Sequence, residues 1–436
     1  MEAHDPSSPT ETIPPLETAR QKSRQARRAI ISGRYQQAVD LANEGLALLE
    51  AIPPTEGQEQ LRSILLLERG RARALSGDYA ALADFQAVRS GSQEPALRAE
   101  ALVGIALCYS GTGDYQTAES AYRIALEEAL ENRSELVCIR GWIGLGALFW
   151  RQGRIEEAVQ ALHEAHTILQ RKPDAYEMGR VLINLGIAHT FAGRLDKAIA
   201  TYHEALKCFR TLQDDHRTAA VLNNLGEIYQ ELRDLDQALQ YHEEAITLAV
   251  EAGAERVEVD VTRNIGVDLL LMSRYSEAMM CLEKALSQAR EIGDKDLALQ
   301  ALYSLGDALL RQGSVERAMA VAGELTAEAE AVGSELHIAR AKFLQGRSHL
   351  ACGERRAAQT VLQEALKGAH ALPSRVLLWQ LHAALGRATE DPEIAQIHFR
   401  IAADFIRQTV EPLNDSELRS RFLEQPEVQA VLERAK

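Results

Sequence analysis

The chain has 436 residues, 46% of them hydrophobic, with 63 acidic side chains against 48 basic ones and a formal charge of −15. That charge repels a phosphate backbone and disfavours nucleic acid as a partner. No apolar run approaches the ~20 residues that span a bilayer, and five cysteines at least 30 positions apart argue against a zinc site or a disulfide framework.

Residues 1–17 are rich in Ser, Thr, Pro and Glu and read as a disordered tail. Their start lacks the basic and apolar regions of a signal peptide, so a cytoplasmic setting is expected. A basic stretch follows, Arg20, Lys22, Arg24, Arg27, Arg28 and Arg34. It reads as a solvated helix face, the alternative being a patch for RNA or an acidic partner. Residues 18–97 hold two irregular hairpins, with turns at Gly33-Arg34-Tyr35 and Gly77-Asp78-Tyr79 and a break at Ile52-Pro53-Pro54.

From 98 to 380 the sequence repeats seven times with a period of 40 residues. Gly146, Gly186, Gly226, Gly266, Gly306 and Gly346 keep one phase, which runs on to Gly386, with Ala106 one period earlier. Alanine follows twelve residues later, from Ala118 to Ala358, and again at nineteen, from Ala125 to Ala365, with Leu325 the exception. A glycine inside a helix costs ~0.5–1 kcal/mol against alanine. Seven of them imply a neighbouring helix close enough to exclude a side chain.

Two further phases carry breakers. Seven residues past the glycine lie Gly113, Gly153, Gly193, Gly313 and Gly353, with Arg233 and Ser273 substituting. Twenty-seven past it lie Pro173, Gly253, Gly293, Gly333 and Pro373. Each repeat therefore predicts a helix, a tight turn and a second helix. Residues 381–410 read as a shortened last repeat, missing about three residues near Asp391-Pro392, and 411–436 as a polar helix that caps the stack.

No nucleotide-binding glycine fingerprint or catalytic signature is present. Gly111-Thr112-Gly113 is a repeat turn, and His163 and His166 have no third ligand near them in sequence. No catalytic residue, cofactor or metal is expected, and the chain is not read as an enzyme.

Leu145-Gly146, Phe149, Gly153, Ala158 and Ala165 make one repeat, and Leu225-Gly226, Tyr229, Ala238 and Ala245 another. This pattern resembles the tetratricopeptide repeat family, in the 40-residue form similar to kinesin light chains, Pins-type adaptors and bacterial regulators. The family's terminal proline is largely missing. The resemblance implies an all-α fold, a right-handed α-solenoid (superhelix) of about nine antiparallel helical hairpins, whose first helices line a concave groove.

In that family the positions two, three and six before the glycine, and one after it, face the groove. Carried over by phase, they are Arg180, Asn184, Asn223, Asn224, Glu227, Asp260, Arg263, Asn264, Tyr303, Asp307, Arg340, Phe343 and Arg347. An asparagine amide both donates and accepts, so Asn184, Asn224 and Asn264 would form a ladder along an extended peptide; the alternative is bonding within their own repeats. Ile183 and Ile187 disfavour the family's clamp for chaperone tails. The expected function is a scaffold or adaptor that binds a protein or peptide, as an extended segment or helix in the groove. The alternative is a ligand- or peptide-sensing module that acts on a signalling or transcriptional partner in trans. The terminal repeats leave a route to oligomerisation open, and no membrane partner is expected.

Overall fold

A computed structural model describes residues 14–53, 57–369 and 375–436. Residues 1–13 of the expected tail, Pro54 and the Pro373 break lie outside the described residues. Among the described residues the chain forms 22 helices and no strand. They run α1 (Pro15–Ile31), α2 (Tyr35–Glu50), α3 (Gln58–Leu75), α4 (Ala81–Gly91), α5 (Pro95–Gly111), α6 (Tyr115–Glu131), α7 (Glu135–Arg151) and α8 (Ile155–Arg171). Next come α9 (Ala175–Phe191), α10 (Leu195–Leu212), α11 (Asp215–Glu231), α12 (Leu235–Glu251), α13 (Glu255–Leu271), α14 (Tyr275–Glu291), α15 (Lys295–Arg311) and α16 (Val315–Val332). The last are α17 (Glu335–Ala351), α18 (Arg355–Ala369), α19 (Arg375–Ala388), α20 (Pro392–Val410), α21 (Ser416–Leu423) and α22 (Pro426–Arg434). The fold is an all-α solenoid of paired helices, odd with even from α1/α2 to α19/α20. The first helix already begins at Pro15, where a missing N–H is harmless.

The breaker phases act through left-handed backbone. Gly153 and Gly193 carry φ of 74° and 69°, and Arg233 and Ser273 adopt 62° and 63° at the same phase without being glycine. The turn between repeats uses the same device at Gly253, Gly293 and Gly333 and, where no glycine stands, at Arg133 and Gln213. Asp114, Asp174, Asp214, Asp234 and Asp294 then start helices by accepting N–H groups of the first turn.

The chain divides into two compact units, Met1–Leu148 with His163–Lys172, and Phe149–Leu162 with Pro173–Lys436. In the first, Ala26, Leu46, Leu49 and Leu65 make one core and Leu67, Phe85, Val88 and Cys108 another. Arg71 and Arg140 both reach the Glu100 carboxylate there, and Arg69 grips Asp84 at 2.5 Å. Lys22 of the basic stretch pairs with Glu44, and Arg20 with Glu17 at 3.6 Å.

In the second unit Tyr202, Phe209, Leu222 and Leu225 are buried in a core that α20–α22 complete. Here the structure departs from the expected polar cap. Residues 411–436 form two helices, broken by Pro426, and they are amphipathic. Leu413, Leu418, Phe422, Val428 and Val431 are at most 7% exposed. They pack against a core that includes Leu195, Tyr229, Leu232 and Tyr241, some two hundred residues earlier. Arg421 pairs with Asp234 at 2.7 Å, and Arg233 Nε donates to Gln425 Oε1 at 3.0 Å. This unit therefore closes back on the turn of its α11/α12 hairpin.

Candidate functional site

Helices α9, α11, α13, α15, α17 and α19 are the first helices of the second unit, and each packs on the next. The glycine phase sets their rotation. A β-carbon at Gly186 would fall 2.4 Å from Tyr202 Cε1, and one at Gly226 2.3 Å from His242 Nε2, each on the second helix of its own hairpin. Gly306 differs: Ala322 stands where Tyr202 and His242 stand, and Leu344 of α17 closes on it at 2.2 Å.

Neighbouring first helices are joined by charge. Arg263 Nη2 donates to Asp260 Oδ1 at 2.8 Å and to Glu227 Oε1 at 3.3 Å. Asn223 Nδ2 donates to Asp260 Oδ2 at 3.2 Å, and Asn264 Nδ2 to Asn223 Oδ1 at 2.9 Å and Glu227 Oε1 at 3.1 Å. The Glu227 side chain keeps 44% exposure, yet burial and the nearby Asp260 raise its pKa above the ordinary carboxylate value.

Further along the wall the sign changes. Asp307 accepts from Arg311 Nε at 3.0 Å and from Arg347, across α15 and α17. Burial opposes its ionisation, but the two guanidiniums prevail and hold its pKa down at about 2. The Arg340 guanidinium lies 5.5 Å over the Tyr303 ring, and no ion pair to it is formed among the described residues. Burial, with Arg263 nearby, lowers its pKa.

The structure thus brings together Asn223, Glu227, Asp260, Arg263 and Asn264, and separately Tyr303 with Arg340 and Asp307 with Arg347. It does not draw Arg180 into either group: Arg180 donates to Glu177 Oε2 at 2.6 Å. Three of the expected groove residues are buried instead, Asn223 at 3%, Asn264 at 1% and Phe343 at 3% exposure. The even asparagine ladder is therefore corrected. The Asn264 Nδ2 group is spent on bonds between repeats, while its buried Oδ1 has no hydrogen-bond partner among the described residues. Asn184 donates to Arg180 O at 2.9 Å while accepting from Trp150 Nε1 at 3.2 Å. Asn224 lies beside the buried Tyr202. Equal sequence phase places these amides on one side of each helix, but the neighbours available to bond differ from repeat to repeat.

A cavity of about 130 Å³ ends the wall, lined by residues of α15, α17, α19, α20 and α22. Arg311, Arg347, Arg387 and Arg434 line it with Glu427, beside Phe343, Trp379 and Phe399. The sequence reading missed Arg387, although it follows Gly386 in the phase of Glu227, Asp307 and Arg347. It also missed Arg434 and Glu427, because no repeat phase reaches α22. Among the described residues no group of three or more His, Cys, Asp and Glu could hold a metal ion, and no helix is long and apolar enough to cross a membrane.

The stretches 97–171, 137–211, 177–249 and 258–327 match the tetratricopeptide repeat, over more than half of the chain. The chain belongs to the tetratricopeptide repeat family. No curated protein sequence matches this tetratricopeptide repeat chain. Among solved structures it is similar to the apo form of the quorum sensor NprR from B. thuringiensis, at 12% identity and a TM-score of 0.58 over 81% of this chain and 99% of that one. NprR in complex with its cognate peptide NprX is similar at 16% identity and a TM-score of 0.56, over 89% and 99%. The Rap conjugation gene regulator of the plasmid pLS20, in complex with the Phr* peptide, follows at 14% identity and a TM-score of 0.50, over 91% and 98%. At these identities the likeness concerns the fold.

Proposed function

We propose that this tetratricopeptide repeat protein is a non-catalytic binding module that takes an extended peptide along the first-helix wall of its second unit. The observation that carries the reading is Arg340, a half-buried guanidinium over an aromatic ring with no ion pair to it among the described residues. Burying a charge without a partner is unfavourable, so such a group suits a ligand that supplies the missing anion or carbonyl. Glu227, Asp307 and Arg347, on either side of it, would read the rest of the peptide. Two solved structures of similar fold hold a peptide, which supports a peptide over a folded partner. They also favour the sensing form of this role, in which a bound peptide alters a regulatory partner in trans. Five free cysteines accord with a reducing, cytoplasmic setting.

The test uses the full chain against a random heptapeptide library, with retained peptides counted by mass spectrometry. The unchanged protein should retain peptides, and Arg340→Gln should lower retention by ~10-fold, as expected when a charge-assisted hydrogen bond is lost. The melting temperature should not fall. Undiminished retention by Arg340→Gln would overturn this reading.

A further inference from the structure

The cavity at the end of the wall holds more positive charge than its own carboxylates neutralise. Asp307 serves both Arg311 and Arg347, and Glu427 reaches Arg311 at 3.3 Å. Arg387 has only a hydrogen bond from its Nε to the Ala383 carbonyl oxygen, at 3.3 Å. Arg434 lies 5.3 Å over the Phe399 ring. Neither forms an ion pair among the described residues. Trp379, 4% exposed, lines the same cavity, and its Nε1 has no hydrogen-bond partner among the described residues.

Gathering four guanidiniums in one small cavity works against folding, because like charges repel and burial removes their hydration. Burial and repulsion from Arg347 and Arg434 already lower the Arg387 pKa. Arg311 shows which chemistry the cavity accepts, since it holds two carboxylates, Asp307 from its own helix and Glu427 from α22. A guanidinium fork matches a planar carboxylate in two parallel hydrogen bonds.

We propose that this cavity is a carboxylate subsite, in which Arg387 and Arg434 grip an acidic group of the bound peptide beside Glu427. Trp379, Phe343 and Phe399 also line it. The subsite rests on the peptide-binding reading and adds a direction to it. The wall is richer in carboxylate at Glu227 and Asp260 and richer in guanidinium at Arg347 and Arg387, so the acidic end of a peptide would lie toward α19.

The test presents the full chain with a random heptapeptide library made as free acids, and with the same library made as carboxyl-terminal amides. The expected result is ~10-fold better retention of free acids, as for one charge-assisted contact. That preference should vanish in Arg387→Gln and in Arg434→Gln at unchanged helical content and a melting temperature that does not fall. If the retained amides are instead enriched in Asp and Glu, and the variants lose that enrichment, the acidic group is a side chain and the subsite stands. Equal retention of acids and amides without acidic enrichment would overturn the subsite while leaving the peptide reading intact. So would a preference that survives in either variant that folds. Retention of no peptide by the unchanged protein would overturn both.

Discussion

At Gly226 a β-carbon would lie 2.3 Å from His242 Nε2, and His242 is itself buried and bonded through Nδ1 to Asp268 Oδ2 at 2.5 Å. The imidazole cannot yield without losing that bond. Gly226→Ala, the smallest possible intrusion, should therefore destabilise the second unit by ~1–3 kcal/mol, as overpacking does, and a thermal melt reads it. Ser273 argues the opposite way. It is exposed, its φ is 63°, and glycine fills the same phase in five other repeats. Ser273→Gly should relieve ~1 kcal/mol of left-handed strain and raise the melting temperature. The sequence phase marks both positions, because left-handed turns and close helix approach recur with the period, although the group that each glycine meets changes between repeats. The fate of Asn264 does not follow from it. Whether an amide meets a ligand or the Asn223 oxygen depends on a neighbour one repeat away, and no internal periodicity encodes that choice.

Helices α21 and α22 show the same limit at the scale of elements. Their apolar residues, Leu418, Phe422, Val428 and Val431, recur at helical spacing and mark a buried face, and the core that buries them joins α20, nearby in sequence, to α10–α12, far from it. A contact across some two hundred residues leaves no local signature, so the segment reads as a cap when its position in sequence is the only guide. Phe422, 2% exposed, is the largest of these anchors. Phe422→Ala should weaken the docking by ~3 kcal/mol. Hydrogen exchange should then rise both in α21–α22 and at the α11/α12 turn around Arg233 and Asp234. Faster exchange in the terminal helices alone would mean that the two regions are not held together by this contact. Because Glu427 and Arg434 ride on α22, loosening it should also erode the preference for acidic peptides.

Over the whole molecule, two recessed carboxylates, one in each unit, respond to pH in opposite directions. Glu68 in the first unit is 8% exposed, and its Oε2 has no hydrogen-bond partner among the described residues. Burial is the main cause that raises its pKa to about 7, against the opposing effects of Ser23, Arg71 and Arg27 and with some help from Glu100. In the unfolded chain the same group ionises near 4.5. Below that pH both states hold the proton and Glu68 takes nothing from stability. As pH rises from 4.5 through 7 the unfolded state loses its proton first. The first unit then loses up to ~3 kcal/mol, because each tenfold difference in proton affinity between the two states is worth ~1.4 kcal/mol. Asp307 in the second unit behaves inversely. Its pKa is depressed from 3.8 to about 2, so the stability it contributes is complete above 3.8 and fades as pH falls through 2. Between about pH 5 and 8 Glu68 should therefore soften the first unit, while the contribution of Asp307 stays constant. Hydrogen exchange in α3, corrected for the intrinsic dependence on pH, should be more protected at about pH 5 than at about pH 8. Glu68→Gln, which keeps the shape and cannot ionise, should make protection at the higher pH match that at the lower. If α3 in Glu68→Gln still loosens as pH rises, the cause lies outside this carboxyl.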